Sequence, residues 1–171
     1  MRPALVLAIA CLFVMYGSAD ALELKAENPD FTVNVPNLPS VRLERQTTSD
    51  SNVSTVLAGT DGTYKITLLT TRAQKEITTR ECAGAFLRSL LARAGMPDRD
   101  NVYRTALDED TFLVLYILVE PEGQQLHAHL LSSANATHCV EMHVSRARVE
   151  NEEQDGWRQS FAGSHVQESV R

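Results

Sequence analysis

Four of the five histidines fall between positions 127 and 143, so imidazole is the first chemistry to consider. His127 and His129 are two apart in an alternating stretch and share a face if that stretch is a strand. His138 and His143 lie in the next stretch, where Glu141 shares the face of His143. Imidazoles beside a carboxylate can ligate zinc or copper. The odd separation of His138 and His143, however, sends them to opposite faces of one strand. The reading is therefore of no resident metal and no cofactor, with His127, His129 and His143 the residues that could hold an ion if one bound. Otherwise these imidazoles are hydrogen-bonded side chains.

Other reactive residue types do not assemble into a catalytic set. There is no G-x-S-x-G, and Gly163-Ser164-His165 has no nucleophile elbow before it. The carboxylates of Asp108-Glu109-Asp110 and of 150–155 fall in a turn and near a helix start, where acids suit solvent and the helix dipole. Glycoside hydrolysis would need two of them fixed in a cleft. A calcium loop of the D-x-[DN]-x-[DN]-G type is absent. Asn52-Val53-Ser54 and Asn135-Ala136-Thr137 match the glycosylation triplet, which matters only in a eukaryotic secretory pathway. No enzyme activity is expected.

The N-terminus assigns a compartment. Arg2 precedes an apolar run from Ala4 to Tyr16, and Ala19-Asp20-Ala21 offers the small residues a signal peptidase reads. The run is short for a membrane span. Residues 1–21 are thus expected to be a secretory signal, with Cys11 one more apolar residue inside it, and 22–171 a single domain in the periplasm or outside the cell. Processing leaves Cys82 and Cys139 of the three cysteines. An even count in an oxidising compartment suggests one disulfide, worth about 4 kcal/mol on the chain-entropy model for so long a loop. The net charge of −6 argues against nucleic acid, which needs a basic stripe, and suits a basic protein partner.

The elements that must position these groups follow from periodicity. Leu22 to Asp30 reads as a polar lead. Phe31 to Val35 alternates as a half-buried strand ended by Pro36, and Val41 to Arg45 alternates again. Val53–Leu57 and Tyr64–Thr70 flank Gly59-Thr60-Asp61-Gly62, a hairpin signal with glycines where positive φ is needed. Thr78 and Glu81 form a capping box that opens a helix to about Ala94, with Cys82, Phe86 and Leu90 on its apolar stripe, widened by Ala83, Leu87 and Leu91. Val102–Leu107 reads as a strand. Phe112 to Val119 lacks alternation and reads as a central strand buried on both faces. Pro121-Glu122-Gly123 turns the chain into Leu126–Leu131, and Thr137–Arg146 alternates, with Cys139, Glu141 and His143 opposite Val140, Met142 and Val144. A last helix carries Trp157 and Phe161, with Gly163 near its end. The expected fold is α+β, an antiparallel sheet covered by one long central helix and a shorter C-terminal helix.

This order resembles the PsbP/Mog1 family of α/β/α sandwiches. The resemblance is carried by Phe31-Thr32-Val33-Asn34-Val35-Pro36, Gly62–Thr70, Phe112–Val119, and Trp157 with Phe161. It implies a non-catalytic binding or assembly module. The expectation is an exported protein-binding module, most concretely an inhibitor or immunity protein against a secreted toxin, a basic effector as its partner, with contacts sought at 46–52, 98–101 and 108–110. The alternative is a small-molecule or metal carrier, or an envelope assembly factor, which a cavity lined by His127, His129 and His143 would favour.

Overall fold

A computed structural model describes residues 21–168 apart from 28, 39–40, 47, 49, 122, 148 and 150–153. The expected signal with Cys11 lies outside the described residues, as does most of the 150–155 acidic run. Two antiparallel sheets face each other. The larger is built from β3 (Glu44–Arg45), β4 (Val53–Thr60), β5 (Tyr64–Arg72), β6 (Tyr103–Ala106), β7 (Phe112–Glu120), β8 (Gly123–Ala134) and β9 (His138–Ala147). Its spatial order is β3-β4-β5-β9-β8-β7-β6. The smaller, in the order β1-β2-β10, comprises β1 (Leu22–Glu27), β2 (Asp30–Val35) and β10 (His165–Glu168). One helix, α1 (Thr79–Leu91), covers part of the outer face of the large sheet, and α2 (Gln154–Ser160) packs at the other side.

The α+β class and the long central helix agree with the sequence. So does the start of α1: the Thr78 side chain accepts from the Glu81 amide, and the Glu81 carboxylate accepts from the Thr78 amide. Three features differ. Leu22–Glu27 is not a lead but a strand, paired from Leu22↔Val35 to Glu27↔Asp30, with Leu22, Leu24 and Ala26 buried. The second face of the large sheet is covered mainly by the small sheet, with Trp157 and Phe161 of the α2 region joining its core. Finally, β7 is doubly buried only over Leu113–Tyr116, and it lies one strand from the sheet edge; β9 and β8 are more central.

Between the sheets lies the main core: Phe31, Val33, Leu68, Leu115, Leu126, Leu130, Met142 and Phe161 are all essentially inaccessible. A second, smaller core joins α1 to the outer face through Ala83, Leu90, Val114, Tyr116 and Leu131. Of the hairpin glycines, Gly62 takes the positive φ, +90°, while the Asp61 carboxylate accepts from the Thr63 and Tyr64 amides. Gly59 serves another end. A Cβ there would collide with the Arg42 carbonyl, so its bare backbone lets the segment before β3 lie against β4.

Candidate functional site

The site is built by the way α1 is pinned. Cys82, near the start of the helix, is bonded to Cys139 at the start of β9, with 5.6 Å between their Cα atoms. Thr79 adds a second tie: its hydroxyl accepts from the Ser133 amide at 3.1 Å and donates to the Asp110 carbonyl at 3.2 Å. So fixed, the helix runs chiefly over β8, with lesser contact to β7 and β9. A strip of β8 and β9 therefore stays beside the helix rather than beneath it.

Register loads that strip with imidazole. His129 pairs with His143 across β8 and β9, Tyr116 with His127 across β7 and β8, and Leu131 with Glu141. Side chains two apart on adjacent strands share a face, so Tyr116, His127, His129, Glu141 and His143 converge. Their rings are nearly parallel: His129 lies 4.3 Å from His143, and Tyr116 lies 5.1 Å from His127. Phe86 of α1 caps His129 at 4.5 Å.

Two hydrogen-bonded chains run through the stack. A carboxylate oxygen can only accept, so His129 donates through Nδ1 to Glu141 Oε1 at 2.9 Å, and the Tyr116 hydroxyl meets His129 Nε2 at 3.2 Å. His127 Nδ1 shares a proton with His143 Nε2 at 2.9 Å. The remaining ring nitrogen of His127 is buried and has no partner among the described residues. Burial holds His127 down at about 4 and His143 at about 3, assisted by the charge that a neighbouring imidazole, and for His143 also Lys65, would impose. Burial likewise pushes Tyr116 up to about 12, so its hydroxyl keeps its proton and can donate.

Alongside α1, this stack borders a cavity of about 690 Å³, open on one side. Its walls include Phe86, Leu90, Leu131 and the disulfide, and Arg93 stands at its rim. That volume lies within the usual range of small-molecule sites. Parallel rings that bond to one another do not aim their lone pairs at a common point. As arranged, the three histidines suit hydrogen bonding and stacking better than a single metal centre.

The structure brings His127, His129 and His143, the residues named from sequence as able to hold an ion, onto one wall, and it bonds Cys82 to Cys139 as the even cysteine count suggests. The sequence reasoning did not connect Tyr116 or Phe86 to them. His138 stands apart, with its Nδ1 near the Thr137 hydroxyl, and burial lowers it. Ser164 is buried with its hydroxyl unpartnered among the described residues, and His165 turns its Nδ1 to the Gly163 carbonyl, so the two form no nucleophile–base pair. Asp108 binds the Asp110 amide and Asp50 the Asn52 amide, which makes these acids turn formers. Asn52 is exposed before β4, and Asn135 occupies the β8–β9 turn at φ +50°.

The fold is thus a layered α+β sandwich: a helix, a seven-stranded antiparallel sheet, and a three-stranded sheet with a short helix. It is similar to the solution structure of cyanobacterial PsbP (CyanoP) from Synechocystis sp. PCC 6803, with a TM-score of 0.57 over 89% of this chain and 95% of that one. Identity is 10%, so the likeness is one of fold. No family model matches the chain, and no curated protein does. Among the described residues no helix is long and apolar enough to cross a membrane.

Proposed function

We propose that this protein is an exported binding module that works by holding a partner and not by transforming one. The observation that carries the reading is the cavity beside α1: apolar walls, volume for a ligand group, and polar side chains that, His127 Nε2 apart, are engaged with each other. A catalytic base would need a free, correctly poised partner for a reacting atom. Here Glu141, His129 and Tyr116 are linked in series, and the proton positions are fixed by that chain. The disulfide suits an oxidising compartment.

The partner is a protein in the reading we favour, with an inhibitor or immunity protein of the cell envelope as its concrete form. The net charge of −6 complements a basic secreted effector. Crosslinking in an envelope extract, followed by reconstitution of the purified pair, tests this. A single effector bound at one-to-one stoichiometry, with its toxicity suppressed, is the expected result.

A second reading, a small-molecule or metal carrier or an assembly factor, is favoured by the three histidines on the cavity wall. Tag-free protein carrying a stoichiometric small molecule, zinc or copper, with no protein partner recovered, would replace the first reading with this one.

A further inference from the structure

We propose that the outer edge of β7 from Tyr116 to Glu120 is a docking edge for an extended segment of a partner protein, which adds to the large sheet as a further strand. The inference rests on the protein-binding reading above and gives it a place and a geometry.

Strand lengths are mismatched at this edge. β6 pairs with β7 only from Ala106↔Phe112 to Tyr103↔Leu115, whereas β7 continues to Glu120. Beyond Leu115 the strand has β8 on one side and, among the described residues, no strand on the other. The direction of the backbone groups follows from the next strand over. The Gln124 carbonyl accepts from the Val149 amide on the β9 side, so it points away from β7. Gln124 is paired with Val119, and in an antiparallel ladder residues opposite each other either exchange both hydrogen bonds or neither. Val119 therefore turns its N–H and C=O outward, and so does Ile117 two residues earlier. That is a row of strand donors and acceptors with no strand among the described residues to receive them.

Natural edges are usually guarded by lysine, proline or a bulge. This one reads Tyr116-Ile117-Leu118-Val119, with no charge before Glu120 and no proline before Pro121. Val119 is 82% exposed, far more than any other large apolar side chain described. The edge also borders a half-open groove of about 880 Å³ shared with the 95–104 segment, with Met96, Val102 and Tyr103 among its walls. The 95–104 segment flanks the space in which an added strand would lie, about 5 Å from β7, and leaves width for a strand rather than for a whole second sheet. This favours a partner's extended segment over a second copy of the chain. Asp98 and Asp100 stand exposed on this wall, and Arg104 and Arg158 line the same groove. A segment of alternating apolar residues with a basic end at Asp98 and Asp100, and no base at the end that meets Arg104 and Arg158, fits edge and groove together.

The test is a titration of the purified ¹⁵N-labelled chain with a peptide of alternating valine and threonine ending in lysine. The expected result is that the amides of Ile117 and Val119 shift and gain protection from exchange, while Leu118, already bonded to β8, changes little. Val119→Pro removes an N–H that the fold does not use, and Val119→Lys installs a charge guard without touching the backbone. Each should weaken the peptide by about tenfold or more, whereas Val119→Thr should stay within about threefold. Peptide binding undiminished in both Val119→Pro and Val119→Lys would overturn the proposal. So would the absence of shifts at Ile117 and Val119 at millimolar peptide, or sedimentation showing a dimer that Val119→Lys abolishes. A protein captured from the envelope that binds Val119→Lys as tightly as the wild type would sink the edge and leave the protein-binding reading standing. Failure of the wild type to capture any partner counts against that reading alone, because the peptide titration judges the edge independently.

Discussion

Acid should loosen this protein well before its carboxylates are protonated, and the imidazole stack is the reason. His127 and His143 are held at about 4 and about 3, against an ordinary value of 6.5. Both folded-state values lie below the unfolded one, so as pH falls through 6.5 the unfolded chain takes up protons that the folded chain refuses. Stability is therefore full above about 6.5 and is lost progressively below it. Each fully buried group would cost about 1.4 kcal/mol per pH unit in this window. Both rings retain some access to water and share a proton, so screening leaves roughly half of the sum: about 2–3 kcal/mol at pH 4.5. The assay is urea denaturation followed by circular dichroism at half-unit intervals from pH 8 to pH 4.5, beside a His127→Gln/His143→Gln variant. The wild type should lose stability below pH 6.5, and the variant should fall much less steeply, keeping only such slope as the remaining groups, His138 among them, contribute. Parallel curves for the two proteins would refute the reasoning, because the slope would then belong to other groups.

Cys82→Ser and Cys139→Ser should each lower the melting temperature by about 10 °C and the double variant no further, since all three remove the same cross-link; additive losses in calorimetry would count against a bond. Thr78→Ala should cost about 1 kcal/mol in chemical denaturation, because it removes the acceptor for the Glu81 amide. Tyr116→Phe keeps the ring in the stack but leaves His129 Nε2 without the hydroxyl, and should cost about 1–2 kcal/mol with an unchanged denaturant slope. Glu141→Gln, which can still accept from His129 Nδ1 through its carbonyl, should cost less than Tyr116→Phe.

Much of the fold was legible because its elements obey simple periods. The capping box, the helix stripe and the β8 and β9 alternation each follow from local chemistry, and the parity of positions 127, 129 and 143 already placed three histidines on one face. What parity cannot supply is register. Glu120↔Gly123 at the turn after β7 brings Tyr116 opposite His127, and the turn at Asn135 and Ala136, both at φ +50°, brings His129 opposite His143. The sequence places a turn between β7 and β8, and counting back from the Glu120↔Gly123 pair sets Tyr116 opposite His127. β1 was misread although Leu22, Leu24 and Ala26 alternate with Glu23, Lys25 and Glu27. Its charges mark one wet face of a sheet edge, not a lead. β10 carried almost no signal. Its four residues gain strand character from β2, to which they pair, and from Thr111, whose hydroxyl accepts from the Val166 amide at 3.1 Å.

The two candidate surfaces are not independent features of the fold. Met96, Tyr116 and Leu118 border both the histidine cavity and the groove at the β7 edge. Both exist because α1 is fixed near its start, by Cys82–Cys139 and Thr79, to one end of β8 and β9, while β6 stops short of the far end of β7. A strand added at Ile117 and Val119 would stiffen β7 where Tyr116 donates toward His129. Occupancy of the edge would then be felt in the stack through one side chain. With the edge occupied as proposed, Tyr116 is the residue at which a partner outside and the imidazoles inside would meet, through the wall that the two surfaces share.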